Sequence, residues 1–512
     1  MIFPIELRYE SVLEKREYLK PDSHQKYAEI DPYAIYGAVS ASAPMLNHCP
    51  GNRAIHESAM SISSLTEISS NFKNMSETSA KVLHRPHVPV ITTKYAAYGN
   101  NILQTGKNMP IAIKIDEGNV EDSFLVSERE AKMSTDGKIS TYEIIVDTED
   151  IPGISLHGNM KIGKYRHVDS DTGLPLIGSE LDVGDVIFAK YKKEIISQVD
   201  DDGNKKEEEQ LINKSVFIEE GKEGEVQNIK RIPNDKFLIY RITVSKTRNM
   251  VVGRKLSFDG CSQKGIIGQI LPHNQMPIII SGKNKGMRPS AIFSPMSTTS
   301  RATPSVNHSL LLGNYAIASG NQVDGTSFTI NNDKINDINN KLMDMGFENW
   351  GYEEFEDPVS KSRFKLAFGF AYIKILKHTS DDKQKACGHI DHTIDKGSRQ
   401  PSKGGPLGAL RVGYMDTNTM GSHNIMATIQ AFLAEQSDLI TVAICSDCGH
   451  LCDRHNDDAK TIKDNYASKH CTRCEKSGVI VKCKVPYAVV KIHNWSLTVG
   501  IKLNLFPKIS KK

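Results

Sequence analysis

Runs of apolar residues are concentrated in the middle of the chain and predict a β-rich region from about residue 138 to residue 248. Its candidate strands are YEIIVDT, DVIFAKY, GEVQNI and FLIYRITV, joined by turns of Gly, Asp and Asn. Runs of β-branched and aromatic residues between turn formers are typical of strands. Another strand is predicted at MPIAIKI, where Ile111, Ile113 and Ile115 alternate with other residues and share one face.

Helical spacing appears on both sides of this region. It predicts helices at 333–350, in the apolar segment after the Pro/Ser/Thr-rich stretch that contains TSRAT, and near the end of GSHNIMATIQAFLAEQSD. LRYESVLEKREYL (7–19) is predicted to be a short amphipathic helix within an N-terminal arm, 1–26. The charge-rich run 199–210 offers no apolar anchor and is predicted to be a mobile surface loop. Together these patterns predict a mixed α/β, multidomain protein.

Bulk composition excludes several classes of protein. The 512 residues suffice for about three domains of usual size, and 39% hydrophobic with 24% charged residues is ordinary for a globular chain. No apolar run approaches the roughly 20 residues of a membrane helix, and the N-terminus is charged where a signal peptide needs an apolar core. A net charge of +3 does not identify a partner, because local basic surfaces matter more than the total. An intracellular, soluble protein is expected.

The stretch Gly253 to Gly265, GRKLSFDGCSQKG, carries two lysines in a loop between two apolar runs, FLIYRITVSK and IIGQILP. Ammonium groups act as compact charges toward phosphate, and the glycines let backbone approach a ligand closely. Lys255 and Lys264 are therefore candidates for binding a polyanion. On this stretch alone, an ordinary surface loop explains the pattern as well.

Further candidates are isolated charged residues in polar loops. Arg53 follows a Gly-Asn pair, and Arg301 lies among hydroxyl residues that can share a phosphate with it. Glu121 and Asp122 follow the strand predicted at MPIAIKI and suit a hard divalent cation, commonly through water. Solvated arginines and an acidic turn are the alternatives.

Two CxxC pairs form the most specific motif in the chain. The pairs Cys445/Cys448 and Cys471/Cys474 are separated by residues 449–470, which is slightly more than the usual spacer. Four thiolates close a tetrahedral Zn²⁺ site and leave no open position, so a structural zinc is predicted. His450 and Cys452 lie nearby as competing ligands, and free cysteines remain the simpler alternative. The cysteines outside the two pairs show no disulfide spacing.

The order of several motifs resembles the C-terminal half of the second-largest, beta-type subunit of multisubunit DNA-directed RNA polymerases, in its archaeal, eukaryotic and large-DNA-virus form. The resemblance runs from about Tyr27 to the end of the chain. GNRAIHESAM is similar to PRNxYQSAM, EGNVEDS to NQEDS, GRKLSFDGCSQKG to the GDK…GQKG loop, and TSRAT to PSRMT. TGLPLIGSELDVGDVIFAK is similar to the segment that enters the wall domain, and SRQPSKGGPLGALRVGYMD to RQPxxGRxxxGGLRFGEME. The ending, CxxC…CxxC followed by VPYAVVKIHNWSLTVGIKLNLFP, resembles the family's clamp segment.

This resemblance implies a domain plan. A double-psi β-barrel that binds the RNA–DNA hybrid is expected from residues 27–137 and 249–397, with a β-rich wall or flap-like insertion at 138–248. An anchor or switch-like segment is expected at 398–440, and a clamp segment with a zinc ribbon at 441–512. The family's N-terminal half is not matched, so either the subunit is split across two genes or this sequence is a piece of one gene. A partner chain carrying that half is expected.

The resemblance also implies roles for the candidate residues. Lys255 and Lys264 would contact the phosphates of the RNA 3′ end or of the incoming nucleotide, and Arg53 and Arg301 the nucleoside triphosphate. Asp122, with Glu121 beside it, would lie near the nucleotide-borne Mg²⁺. The permanent Mg²⁺ would be held by the largest subunit, so this chain alone is expected to be inactive. DNA template, RNA transcript and nucleoside triphosphates are the other expected partners, in the cytoplasm, the nucleus or a virion.

The lysine stretch departs from the resembled pattern in ways that bear on these roles. Arg254 replaces an acidic residue, one extra residue separates the lysines, and residues 259–262 stand where the family has Arg-His. His56 replaces a tyrosine, and RVGYMD replaces RFGEME. A non-catalytic zinc-ribbon protein that binds nucleic acid or assists assembly is the alternative function, and a structural protein with a zinc staple is a third.

Overall fold

The protein was analysed as a computed structural model. It describes residues 12–13, 27–28, 31–72, 75, 77–98, 104–155, 164–199, 205–234, 236–384, 394–403, 408–451, 471, 473–474 and 480–506. The chain divides into two compact units, 1–382 and 383–512. No helix among the described residues is long and apolar enough to cross a membrane.

Strands make up most of the regular structure. In chain order they are β1 Val12–Leu13, β2 Tyr27–Ala28, β3 Ser79–Leu83, β4 Ile91–Thr92, β5 Gly106–Ile113, β6 Ser123–Ser127, β7 Asp136–Val146, β8 Asp150–Pro152, β9 Glu180–Leu181, β10 Val186–Phe188, β11 Lys190–Val199, β12 Lys205–Asn213, β13 Val216–Phe217, β14 Gly224–Ile232, β15 Leu238–Arg248, β16 Arg254–Phe258, β17 Lys264–Leu271, β18 Ile278–Ile279, β19 Ala291–Phe293, β20 Val323–Asp324, β21 Tyr352–Glu356, β22 Arg363–Thr379, β23 Leu439–Cys445 and β24 Ile480–Pro486.

The helices are fewer and mostly short. They are α1 Ala38–Ala41, α2 Gly51–Ser63, α3 Lys94–Tyr98, α4 Glu128–Met133, α5 Pro295–Thr299, α6 Ser305–Ser319, α7 Asn332–Asp344, α8 Tyr414–Ser422, α9 Met426–Gln430 and α10 Tyr487–Thr498. The mixed α/β prediction is confirmed, as are the strands predicted between 138 and 248. The helix predicted at 333–350 is confirmed as far as Asp344, where α7 ends.

Six strands of the first unit close into a barrel. Pairing runs β16–β17–β6–β19–β5–β22, and β22 pairs back to β16. The pairs β17–β6 and β19–β5 are parallel, and the other four are antiparallel. Three phenylalanines, Phe124, Phe258 and Phe293, are fully buried at its centre with ring centroids 4.6 to 5.7 Å apart. Closure removes exposed strand edges and gives the lysine stretch a rigid support.

A second sheet, β3–β7–β15–β14–β9, forms its own core around Ile144, Val226, Ile242 and Val244. β7 and β15 pair in continuous antiparallel register from Asp136↔Arg248 to Val146↔Leu238. FLIYRITVSK, predicted to flank the lysine loop as one unit with IIGQILP, therefore lies in this sheet and not in the barrel. Its alternation matches a strand in either sheet, because periodicity does not identify the pairing partner.

Two sequence predictions are wrong at the described residues. The charge-rich run 199–210 was expected to be a mobile loop, but Lys205–Asn213 is strand β12 and pairs with β11. Backbone hydrogen bonds between paired strands stabilise a strand without apolar side chains. The lack of apolar anchors in this run therefore does not exclude a strand. Val12 and Leu13, predicted to be helical, form β1 and pair with Tyr27 and Ala28. The rest of the predicted helix lies outside the described residues.

In the described part of the second unit, β23 and β24 pair antiparallel and α10 follows β24. The strand register places Cys445, the last residue of β23, opposite Ile480. Asp438 fixes the junction between these strands and the helix, since its carbonyl oxygen accepts from the N–H of Tyr487 at 2.8 Å and its carboxylate from the N–H of Ala488 at 3.0 Å. The first CxxC pair thus follows directly from an ordered strand.

Candidate phosphate-binding site and cysteine cluster

The two lysines lie on one face of a β-hairpin. Lys255 is within β16 and Lys264 begins β17, so only 259–263 form the loop between them, which is shorter than the sequence predicted. Lys255 pairs with Ile266, and Ser257 pairs with Lys264. Directly opposed residues project to the same side, which makes the lysines diagonal neighbours, roughly 7–8 Å apart at their backbones. The extra residue in the loop therefore does not turn one lysine away from the other.

Helix α2 covers this face of the hairpin and carries Arg53. Ser257 donates through its hydroxyl to Met60 Sδ at 3.0 Å, and the Ser262 N–H donates to Glu57 Oε2 at 2.6 Å. Arg53, Glu57 and Met60 are spaced i, i+4 and i+7, so they share one side of the helix. That side faces the hairpin. Arg53 forms no ion pair with any carboxylate of the described residues, and Lys264 is exposed.

Asp122 and Arg301 form an ion pair beside the turn of the hairpin. Both terminal nitrogens of Arg301 donate to the two carboxylate oxygens of Asp122. Asp122 has a left-handed backbone (φ 53°), its N–H donates to Ser297 Oγ at 2.7 Å, and Gln263 Nε2 donates to its Oδ1 at 3.3 Å. The Arg301 hydrogen bonds hold the pKa of Asp122 below its ordinary value. Asp122 thus remains ionised and connects the hairpin to the segment after α5.

Glu121 differs from its neighbour in being exposed, and the part of the chain that the structure describes provides it with no ion pair. Its charge, after that of Asp122, adds to the rise in the pKa of Arg301. The acidic pair predicted from the sequence is therefore split in role: one carboxylate is neutralised by an arginine, and the other faces solvent.

A buried cluster of charges between the hairpin and α2 was not found by sequence reasoning. Lys374 Nζ lies 2.6 Å from Glu57 Oε1 and 2.6 Å from Asp259 Oδ1, and it donates to Ser61 Oγ at 2.7 Å. Glu57 is 0% exposed, and the side chains of Lys374 and Asp259 are 6% and 8% exposed. Burial lowers the pKa of Lys374, but the two carboxylates outweigh burial and the net shift is upward. A signal was present: a lysine inside the apolar run AFGFAYIKIL must be paired if it is buried.

Arg254, which replaces an acidic residue of the resembled motif, is also buried and forms an ion pair. It is 1% exposed and bonded to Asp136, which is 2% exposed. Arg248 donates to the other oxygen of Asp136 at 3.2 Å and to Asp382 at 3.1 Å. The pairs join β16 of the barrel to β7 and β15 of the second sheet. The positive charge introduced at position 254 is therefore compensated within the chain.

The four predicted cysteines converge in the second unit. Their Sγ atoms all lie within 4.8 Å of one another, with Cys445–Cys474 at 4.0 Å and Cys448–Cys471 at 3.7 Å. A tetrahedron with Zn–S bonds of about 2.3 Å has sulfur–sulfur edges of about 3.8 Å, so the cluster matches a metal site. His450 is outside the group of ligands, and Cys452 lies outside the described residues. The predicted choice of four cysteines agrees with this geometry.

Comparison with known proteins identifies the family. The model of the family described as "RNA polymerase Rpb2, domain 6" matches residues 39–405. Curated relatives include a probable DNA-directed RNA polymerase II subunit RPB2 homolog from Invertebrate iridescent virus 3, 26% identical over 95% of this chain and 41% of its own length. The RNA polymerase II subunit RPB2 of Encephalitozoon cuniculi is 26% identical over 90% of this chain and 40% of its own. The subunit Rpo2 of Sulfolobus acidocaldarius is 26% identical over 85% and 39%.

The chain spans about two fifths of the length of these relatives. They come from a virus, a eukaryote and an archaeon, which is the range expected from the sequence motifs. The family match begins before α2 and ends after β22, so it contains the whole lysine hairpin, Arg53, Arg301 and the acidic pair. The chain belongs to the RNA polymerase Rpb2 domain 6 family.

Proposed function

We propose that this chain forms the C-terminal part of the beta-type subunit of a DNA-directed RNA polymerase and binds phosphates of RNA or nucleotide at the β16–β17 hairpin. The observation that supports this most directly is the hairpin register, which sets Lys255 and Lys264 on the face that α2 covers with Arg53. Three cationic side chains on two rigid elements suit a polyanion better than cations on a loop. Family membership supplies the reaction, template-directed nucleotidyl transfer.

The chemistry required of these residues is electrostatic. Phosphoryl transfer needs positioned cations that offset charge on the phosphates and little covalent participation by protein groups. Lys255, Lys264 and Arg53 would supply those charges. Arg301 would supply a further positive charge by leaving Asp122 and binding a phosphate. Gln263 would remain hydrogen-bonded to the Asp122 carboxylate.

The exposed carboxylate of Glu121, beside the neutralised Asp122, fits an outer-sphere role toward a hydrated Mg²⁺ that arrives with the nucleotide. When bound, Mg²⁺ neutralises charge on the phosphates. The permanent Mg²⁺ would be held by the largest subunit. That subunit, the chain carrying the N-terminal half of the beta-type subunit, the DNA template and the RNA transcript are the proposed partners, and the complex would act inside the cell or a virion.

The barrel formed by β5, β6, β16, β17, β19 and β22 is proposed to be the double-psi hybrid-binding barrel, and 138–248 the wall or flap-like insertion. The cysteine cluster with β23 and β24 is proposed to be the zinc ribbon of the clamp segment. The closed strand pairing and the separate core of the second sheet support these proposals.

The lysines provide the test of the proposed function. In a complex reconstituted with the largest subunit and the chain carrying the missing half, Lys255→Ala with Lys264→Ala is expected to reduce elongation at least 100-fold, because the loss of two phosphate contacts removes transition-state stabilisation of about 3 kcal/mol or more. Elongation on a pre-assembled RNA–DNA scaffold measures this, and subunit co-purification verifies assembly. Lys283→Ala with Lys285→Ala removes two lysines of an exposed loop as the control. Full elongation by the Lys255/Lys264 variant would refute the active-centre role and favour a non-catalytic assembly protein.

We further expect one Zn²⁺ per chain, bound by Cys445, Cys448, Cys471 and Cys474. Cys448→Ser should release the metal and unfold the β23–β24 pair, since metal binding supplies much of the folding free energy of such small modules. Elemental analysis of native protein measures the stoichiometry. Cys483→Ser is the matched control, because Cys483 is a free thiol on β24 outside the cluster. Native protein without zinc, or equal loss in both variants, would contradict the assignment.

A further inference from the structure

We infer that the buried cluster of Glu57, Lys374 and Asp259 positions the lysine hairpin against the helix that carries Arg53, and that Glu57 is its central positioning residue. The inference rests on the proposed phosphate-binding function and adds residues that touch neither phosphate nor metal. It assigns the geometry of the cationic site to the buried charges between the hairpin and α2.

The cluster joins three elements at one point. Glu57 belongs to α2, Asp259 to the loop between the two lysines, and Lys374 to β22. Ser257 of β16 pairs directly with Lys374 on one side and with Lys264 on the other. Lys374 therefore projects from the same face of the barrel as the two lysines of the hairpin, toward α2. Its ammonium group meets both carboxylates there at 2.6 Å.

The two carboxylate oxygens of Glu57 contact different elements of the barrel. Its Oε1 meets Lys374, and its Oε2 accepts the backbone N–H of Ser262 at 2.6 Å. Ser262 has a left-handed backbone (φ 51°), a conformation that a non-glycine residue keeps only when its surroundings hold it. The loop residues 259–263 are all buried. The Glu57 carboxylate is thus the contact from α2 that fixes the turn two residues before Lys264.

The same carboxylate relates this turn to Arg53. Arg53 and Glu57 are one helical turn apart, so their side chains are neighbours on α2. Because Lys264 follows the loop and Arg53 lies beside Glu57 on α2, any movement of the loop relative to Glu57 also moves Lys264 relative to Arg53. Charged contacts that are buried from water are costly to leave half-made, because the remaining partner keeps its desolvation penalty. The cluster therefore stabilises one arrangement of loop and helix, and arrangements that break its contacts are higher in free energy.

Two substitutions at one position separate the contacts. Glu57→Gln keeps an oxygen acceptor for the Ser262 N–H, but its Nε2 then faces the Lys374 ammonium group, which keeps Asp259 and Ser61 as partners. Glu57→Ala removes the acceptor and leaves the Lys374–Asp259 pair intact. In the full chain, hydrogen exchange of the peptide spanning 258–266 is expected to accelerate at least tenfold in Glu57→Ala and to stay within threefold of native in Glu57→Gln. Exchange in β15 serves as the control for global unfolding.

The functional readout is the KM for nucleoside triphosphate in the reconstituted complex. A positioning role predicts that Glu57→Ala raises KM at least tenfold and that Glu57→Gln restores it, whereas a purely structural role lowers the amount of active enzyme and leaves KM unchanged. A variant set with neutral side chains, Glu57→Gln, Asp259→Asn and Lys374→Met together, covers the case in which Glu57→Ala fails to fold.

The outcomes are distinct. Unchanged exchange at 258–266 in Glu57→Ala overturns the inference, as does faster exchange with an unchanged KM. If Glu57→Ala fails to fold, a raised KM in an otherwise stable neutral set supports the charged cluster as the positioning device, and a native KM in that set overturns it. Full activity of the Lys255/Lys264 double variant overturns the proposed function separately, because the exchange measurement needs no catalysis.

Discussion

Replacement of Asp136 by asparagine is expected to lower the free energy of unfolding of the first unit by about 3 kcal/mol, because it leaves the Arg254 guanidinium buried without its counter-charge. Arg254 is 1% exposed, and its other hydrogen bond, to the carbonyl oxygen of Leu376, is 3.4 Å long. Trp350 belongs to the first unit and Trp495 to the second. Urea denaturation followed by Trp350 fluorescence in a Trp495→Phe background measures the change.

Asp382→Asn is the matched control for this prediction. Asp382 accepts from the same Arg248 and pairs with Lys81, but its side chain is 27% exposed, so its loss should cost less than about 1 kcal/mol. Combining Asp136→Asn with Arg254→Met removes both buried charges and should recover most of the stability. Equal losses for Asp136→Asn and Asp382→Asn would show that burial does not control the strength of this pair.

The local elements of this chain were predictable where one physical preference dominates. Alternating apolar residues at Ile111 and Ile113 predict β5, and the amphipathic spacing around Ile335, Ile338 and Leu342 predicts α7, because each pattern matches the period of its element. The partners of each strand were not predictable, since β15 and β17 have similar patterns and lie in different sheets. Pairing depends on the whole set of competing strands, which no window of sequence contains.

The candidate site shows the same division. The cysteines could be predicted from spacing alone, because metal chemistry fixes the ligand type and count. Lys255, Lys264, Arg53 and Arg301 could be named as candidates, but only the register shows that two of them share a face. The buried partners of Arg254 and Asp259 lie more than one hundred residues away in sequence, so no local pattern reveals them.

Two of the residues that depart from the resembled motif, Arg254 and Asp259, have buried partners. Arg254 is matched by Asp136, and Asp259 by Lys374 together with Glu57. An isolated buried charge would cost several kcal/mol, so a change of charge at position 254 or 259 is tolerated only with a compensating residue elsewhere. The divergence of the lysine stretch is therefore consistent with a hairpin that keeps its shape.

Replacement of Gly260 by alanine is expected to destabilise the first unit by about 3 kcal/mol or more and to displace the loop between the lysines. Gly260 has φ +83°, and a Cβ there would lie 2.0 Å from the carbonyl oxygen of buried Pro44. A left-handed backbone costs a non-glycine residue roughly 1–2 kcal/mol. The contact with Pro44 adds to this cost, because backbone must move to relieve it and the segment is held by the N–H of Met45 donating to the carbonyl oxygen of Gly325 at 2.8 Å.

Gly286→Ala measures the backbone strain without a close contact. Gly286 has a similar backbone, φ +89°, but nothing lies within 4 Å of a Cβ built there. Its replacement should cost only the backbone strain, about 1–2 kcal/mol, with no effect on the hairpin. Urea denaturation followed by Trp350 fluorescence gives the two free energies, and hydrogen exchange at 258–266 should accelerate in Gly260→Ala alone. If both variants lose the same stability, the close approach of loop and Pro44 contributes nothing, and the hairpin is held by its side-chain contacts instead.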